Sequence, residues 1–404
     1  MPNTTSPHAR TDTLAPAHLL AVFCCGAFAF LDLYCVQPLL PLFAHVFHAT
    51  ETQAGLTISA STAGVALSAA LLAAFGEQLN RKRTILAAMT ALALCTLCTA
   101  TATGLHTLAA WRFLQGLVTP GIFIITIAYV TEEFPALLVP RVMSTYVAGT
   151  VFGGFMGRLL GGIVAEHLGW HAVFLLLGSA GLAGAALTQR MLPHGRAIRP
   201  AAAGSRFAPV LRNLRNPRLL ATFGIGFCML FTLVSTFSYI TFYLAAAPFH
   251  LSSAHIGYLF AVYLVGLVAT LAIGTVLARI GLRYGMLTAI GSCLIGLALT
   301  LVQHLVVVAI GLAFASSGVF IAQTCANSFL RDAAPEGSRV SAAGLYICAY
   351  YIGGTFGGVL PGMAYRSGGW AGCVALTVSL LIVAGLTAFF GWSSSAKRDD
   401  PVPL

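Results

Sequence analysis

Three ionisable side chains stand inside stretches that are otherwise apolar. They are Asp32 in AFAFLDLYCVQPLLP (residues 27–41), Arg112 in RFLQG (residues 112–116) and Arg158 in VFGGFMGRLLGG (residues 151–162). Arginine keeps its proton throughout the working pH range of a protein, so Arg112 and Arg158 are fixed positive charges. Asp32 is different, because burial disfavours its charged form while a neighbouring guanidinium favours it. A carboxyl held between these effects can take up and release a proton, and can sense whether the guanidinium is engaged elsewhere. Two readings follow: Asp32 as a proton carrier gated by Arg112, or the two as a permanent structural pair.

The surrounding segments decide which solvent these charges meet. The chain is 58% hydrophobic and 8% charged, against roughly 25% charged residues in soluble domains. Apolar runs of about 20 residues, the length that spans a bilayer, recur about twelve times. Six fall within residues 18–191 and six within 219–392. The expected fold class is therefore an all-α membrane protein. A polar tail occupies residues 1–17, a basic, proline-containing linker 192–218, and a second tail 393–404. Every lysine and arginine except Arg112, Arg158 and Arg366 falls on the side shared by the linker and both tails. The positive-inside rule places that side, and both termini, in the cytoplasm. The net charge of +10 is thus a topology signal and implies no nucleic-acid partner. All ten cysteines lie within spans and read as small buried hydrophobes. No metal site or cofactor is expected. In this setting an ionised Asp32 costs at least about 2.5–3.5 kcal/mol, which makes it a functional-site candidate by default.

Polar positions on the spans form faces. Arg112, Gln115, Gly116 and Thr119 recur at helical spacing, a face expected to look into a cavity, with hydrogen bonding between helices as the alternative. Gly149, Gly153, Gly157 and Gly161 make a stripe suited to close helix packing, with Arg158 beside it. Arg158 either completes a charge network with Asp32 or receives a substrate anion. With Asp32 ionised the three intramembrane charges leave one net positive charge, and with Asp32 protonated two. That bias suits anionic or zwitterionic solutes. In the second half, Tyr239 and Tyr243, Gln323 and Asn327, and Tyr346 and Tyr350 each lie about one turn apart. Such side chains could bind a ring-bearing or amphipathic solute by stacking and hydrogen bonding.

The chain also repeats. VFGGFMGRLLGGIVAEHLGW (151–170) aligns without gaps to YIGGTFGGVLPGMAYRSGGW (351–370), with seven identities that include a shared Gly-Trp end; tryptophan occurs only four times in the chain. AAFGEQLNRK (73–82) is echoed by GTVLARIGLR (274–283). With RFLQG, these segments resemble the major facilitator superfamily, closest to its drug/proton antiporter branch. In the glycine-rich antiporter signature, Arg158 takes the place of a proline. The resemblance implies two pseudo-symmetric six-helix bundles around a central cavity, working by alternating access as a monomer in a bacterial inner membrane. On the reading of the residues above, Asp32 and Arg112 are expected to couple protons, and Arg158, Gln115, Tyr239, Tyr243, Gln323, Asn327, Tyr346 and Tyr350 to contact substrate. Glu77, Arg81 and Lys82 would form a cytoplasmic gate joining the bundles when the cavity faces out. The expected activity is export of small organic molecules in exchange for protons. The alternative is proton symport that imports an organic anion or siderophore-like metabolite. No paired carboxylates, H-E-x-x-H or serine–base set in the spans points to an enzyme.

Overall fold

The computed structural model describes residues 15–75, 79–193, 208–335 and 338–392. Glu77, the greater part of the linker and both tails lie outside the described residues. The N-terminal helices are α1 (Pro16–Leu33), α2 (Leu40–Val46), α3 (Glu51–Phe75), α4 (Arg81–Thr99), α5 (Leu105–Val118), α6 (Pro120–Glu133), α7 (Val139–Leu168) and α8 (Trp170–Met191). After the short α9 (Ala208–Leu214) come α10 (Pro217–Ala245), α11 (Ser253–Leu259), α12 (Val262–Leu299), α13 (Leu305–Ala333) and α14 (Arg339–Gly391).

Among the described residues, ten helical stretches are long and apolar enough to cross a membrane. The difference from twelve comes from two places. α14 holds two spans joined at Gly368 and Gly369, whose backbone is non-helical. The eighth span is divided between α11 and the first part of α12, which itself turns at Gly281. The repeated Gly-Trp end has a structural cause. Gly169 (φ 81°) and Gly369 (φ 57°) both adopt positive φ, which a side chain disfavours, and each ends one span just before a tryptophan. Trp170 packs edge-on against Phe43 and Phe174, and the Trp370 indole donates to Thr300 Oγ1 at 3.1 Å.

The glycine stripe of α7 lies on α1. A methyl added at Gly149, Gly153 or Gly157 would overlap the carbonyl oxygens of Phe23, Ala27 and Leu31 respectively, one turn of α1 per glycine, and one at Gly161 would overlap that of Cys35 just past the end of α1. The second copy repeats this, Gly353 and Gly357 resting on Phe227 and Phe231 of α10. The two sets of helices meet where α3 packs on α14, the Ser59 hydroxyl donating to Thr355 O at 2.6 Å.

Candidate functional site

The site begins with a helix break. The first expected span, 18–45, is helical only to Leu33; a 3-10 turn at Gln37–Leu39 and then α2 follow. Pro38 lacks the N–H that would bond Tyr34 O, and its ring crowds the preceding turn. Gln37 N instead donates to Tyr34 O at 3.1 Å, which leaves the carbonyl of Leu33 without its helical donor. An unsatisfied carbonyl is costly in a bilayer. Arg112, fully buried on α5, supplies the missing donors. Its Nη1 donates to Asp32 O at 2.9 Å and its Nη2 to Leu33 O at 2.5 Å. Weaker donations reach Ser61 Oγ at 3.3 Å and Thr57 O at 3.4 Å.

Asp32 and Arg112 therefore meet, but through the backbone more closely than through the carboxyl. The ion-pair distance from Arg112 Nη1 to Asp32 Oδ2 is 3.6 Å. Among the described residues, neither carboxyl oxygen of the buried Asp32 has a hydrogen-bond partner. The Thr96 hydroxyl is nearby, yet it donates to Leu92 O at 2.8 Å. Gln115 takes the interhelical of its two expected roles. Its Oε1 accepts from Arg112 Nη1 at 2.7 Å, and its Nε2 donates to the Thr96 and Thr99 hydroxyls of α4, both at 3.1 Å. With both ends of its amide used and 1% of the residue exposed, Gln115 presents nothing to a cavity in this conformation.

Arg158 is built differently. Its guanidinium carbon lies 4.6 Å from the Tyr34 ring centroid, 5.4 Å from Phe260 and 4.2 Å from Tyr263. Nε donates to Gln37 Oε1 at 2.6 Å, Nη1 to Gly154 O at 2.5 Å and Nη2 to the Tyr263 hydroxyl at 3.2 Å. Among the described residues it makes no ion pair with Asp32 or any other acid. Tyr263 and Phe260 belong to the C-terminal helices, so this aromatic box straddles the two sets. Gln37 extends it by donating from Nε2 to Ser238 Oγ at 3.2 Å.

The other expected ligands divide. Gln323, Tyr346 and Tyr350 come together: the Tyr350 hydroxyl donates to Gln323 Oε1 at 3.3 Å, and Tyr346 and Tyr350 stack with centroids 5.9 Å apart. The buried Tyr346 hydroxyl has no hydrogen-bond partner among the described residues. Tyr350 lies near Tyr34 and Tyr263, so this cluster adjoins the Arg158 box. Tyr239 and Tyr243 do not join it. Tyr239 donates to Gly358 O at 2.7 Å, between α10 and α14, and Tyr243 stacks on Trp370. Asn327 is exposed. The one-turn spacing was common to all three pairs, and only tertiary packing separates them. Tyr34, Gln37, Phe260 and Tyr263 escaped the sequence reading. Gln37, a polar residue in the Asp32 segment, was the available signal.

Of the expected cytoplasmic gate, Arg81 and Lys82 are among the described residues and Glu77 is not. Arg81 bonds Glu132 of α6 through two contacts, 2.9 Å from Nε and 2.8 Å from Nη2, and Lys82 Nζ donates to Leu192 O. Both bonds stay within the N-terminal helices. Among the described residues, the hydrogen bonds between the two sets lie from mid-span to the opposite end, where α3 and α11 begin and α7 ends. Beyond those already given, Glu166 Oε2 of α7 accepts from Ala254 N of α11 at 2.8 Å.

Residues 22–246 and again 234–403 match the Major Facilitator Superfamily. The chain belongs to that superfamily. An uncharacterized transporter of Buchnera aphidicola subsp. Schizaphis graminum is 29% identical over 370 residues, 91% of this chain and 89% of that one. The inner membrane transport protein YnfM of Escherichia coli strain K12 is 30% identical over 367 residues, 90% of this chain and 88% of that one. A bacterial homolog of the human lysosomal transporter Spinster, solved in an inward-facing and unoccupied conformation, superimposes with a TM-score of 0.75 at 17% identity. That overlap covers 93% of this chain and 97% of that one. As a member of the superfamily, this chain is a multi-pass membrane transporter and not an enzyme.

Proposed function

We propose that the chain is a proton-coupled antiporter that exports small organic molecules carrying negative charge, with Asp32 as the proton carrier. The observation that carries this is the division of labour at the α1 break. Arg112 is held by the carbonyls of residues 32 and 33, while the Asp32 carboxyl, 3.6 Å away, accepts no hydrogen bond from the described residues. Protonating Asp32 therefore breaks no hydrogen bond and leaves no arginine N–H stranded. It removes one charge beside the broken helix, and each ligand then shifts the conformational equilibrium only by its differential affinity.

Substrate charge is read from Arg158, a buried cation with no acid partner among the described residues and with the Gln323–Tyr346–Tyr350 cluster adjoining it. An anionic group would replace Gln37 and Tyr263 at its guanidinium. Bundles at residues 18–191 and 219–392 would rock about this layer. Bonds between the bundles at the α3/α11 end support an inward-facing state. Asp32 would then load or lose its proton according to the side that is open. Symport of an organic anion is kept as a second reading because Arg158 stands where the antiporter signature has proline.

Proteoliposomes containing a pH-sensitive dye, challenged with a panel of organic anions, zwitterions and lipophilic cations, test the proposal. Antiport requires that an outward substrate gradient drive protons inward. Outward proton movement would establish symport instead. Transport restricted to lipophilic cations would overturn the role given to Arg158.

A further inference from the structure

We propose a second site, independent of transport: a groove between α4 and α8 that seats an anionic phospholipid, its phosphate held at the basic end. The two helices run antiparallel and touch where Gly178 meets Leu97 and Gly181 meets Ala93. Toward the start of α4 a cavity of about 700 Å³ opens between them, with Lys82, Arg83, Gln189 and Arg190 on its polar side and Leu86 and Ala186 on its apolar side. Three cations and an amide converge there. Among the described residues, no carboxylate pairs with Arg83 or Arg190. One proton of the Lys82 ammonium is used on Leu192 O, which ties the end of α8 to α4 and leaves two for a ligand.

The apolar continuation selects a lipid over a soluble anion. On α4 the exposed positions Arg83, Ala87, Thr90 and Leu94 fall on one face at helical spacing. On α8 the exposed positions Leu176, Ser179, Ala183, Ala186 and Arg190 do the same. Each stripe carries arginine at the cavity, small residues in the next two turns and leucine beyond. Small side chains on adjacent helices leave a shallow channel, and an acyl chain lying in it would cover Leu94 and Leu176, which are 50% and 44% exposed. Cation-rich pockets between transmembrane helices on the cytoplasmic side are suited to anionic headgroups, and the charge distribution of this chain assigns the α4 start to that side. A phosphodiester headgroup with a diacyl tail matches both parts of the groove, whereas free phosphate matches only the first.

The test uses the purified full-length protein in detergent. Phosphatidylglycerol, phosphatidylethanolamine and glycerol 3-phosphate are titrated separately, with bound lipid read by native mass spectrometry and stabilisation read by melting. Phosphatidylglycerol is expected to bind and stabilise in preference to the other two. R83Q/R190Q should weaken it roughly 30-fold, from the contribution of two basic residues near a membrane surface. R215Q/R331Q, which removes two exposed charges elsewhere, should leave it unchanged. Ala183→Trp fills the channel without altering charge and should also expel the lipid. Should R83Q/R190Q fail to fold, R190Q alone is expected to weaken binding roughly fivefold. Equal binding by wild type and R83Q/R190Q, or undiminished binding by Ala183→Trp, overturns the site. Stabilisation by glycerol 3-phosphate equal to that by phosphatidylglycerol overturns the lipid as its ligand.

Discussion

The Arg158 box makes a quantitative statement about how the two bundles are held together. Its bonds across the bundles are one hydrogen bond to the Tyr263 hydroxyl at 3.2 Å and cation–π contacts with Tyr263 and Phe260 at 4.2 and 5.4 Å. A hydrogen bond to a charged group contributes about 1.5–3 kcal/mol, and at 3.2 Å the lower figure applies. Cation–π contacts add about 0.5–1 kcal/mol each, more when desolvated. Tyr263→Phe removes the hydroxyl and keeps the ring, so it should shift the balance toward opening by about 1.5 kcal/mol, roughly tenfold. Arg158→Met removes everything, about 3 kcal/mol, roughly 150-fold. Because Arg158 is a buried charge without a counter-charge among the described residues, its loss should not lower the melting temperature. Hydrogen–deuterium exchange separates the two effects. Amides of α11 and of the Gln37–Val46 segment should exchange faster by these factors, Arg158→Met above Tyr263→Phe, while α4 and α8 stay as in wild type. Unchanged exchange at α11, or acceleration spread evenly over all helices, would refute the reasoning.

Other substitutions test the remaining links. Asp32→Asn should abolish substrate movement driven by a pH gradient while substrate exchange persists. Its melting temperature should stay within a few degrees of wild type, because the carboxyl accepts no hydrogen bond from the described residues; a gradient response equal to wild type would remove Asp32 from the coupling step. Arg112→Lys keeps the charge but cannot fork onto two successive carbonyls, so transport should fall steeply in the vesicle assay; wild-type rates would show that charge alone suffices. Gly157→Ala drives a methyl into Leu31 O and should cost about 1–3 kcal/mol or more by overpacking. Gly291→Ala, with nothing within 4 Å, should instead stabilise α12 by about 0.5–1 kcal/mol, so thermal melting should move in opposite directions for the two.

Local sequence determined the parts of this protein that depend on the bilayer alone. Apolar runs of about 20 residues force helices, because lipid offers no partner for a free backbone group. A glycine every fourth residue on α7 permits a neighbour to approach, and the two Gly-Trp ends, 169–170 and 369–370, set where spans turn. The residues in mid-membrane that could carry charge were legible for the same reason: Asp32, Arg112 and Arg158 stand out because their surroundings are oily. Tertiary structure decided what each one touches. Arg112 could have faced the Asp32 carboxyl or the carbonyls freed by Pro38, and the choice depends on how α5 meets the break in α1. Arg158 could have paired with Asp32, but α7 presents it to Tyr34 on one side and to Phe260 and Tyr263 on the other, aromatics separated from it by about a hundred residues or more. Tyr239, Tyr346 and Asn327 had equivalent spacing in sequence and went to a helix interface, a tyrosine cluster and an exposed position respectively. Helical periodicity fixes only which side chains share a face. The neighbour that a face meets depends on the packing of distant helices, and no local pattern encodes it.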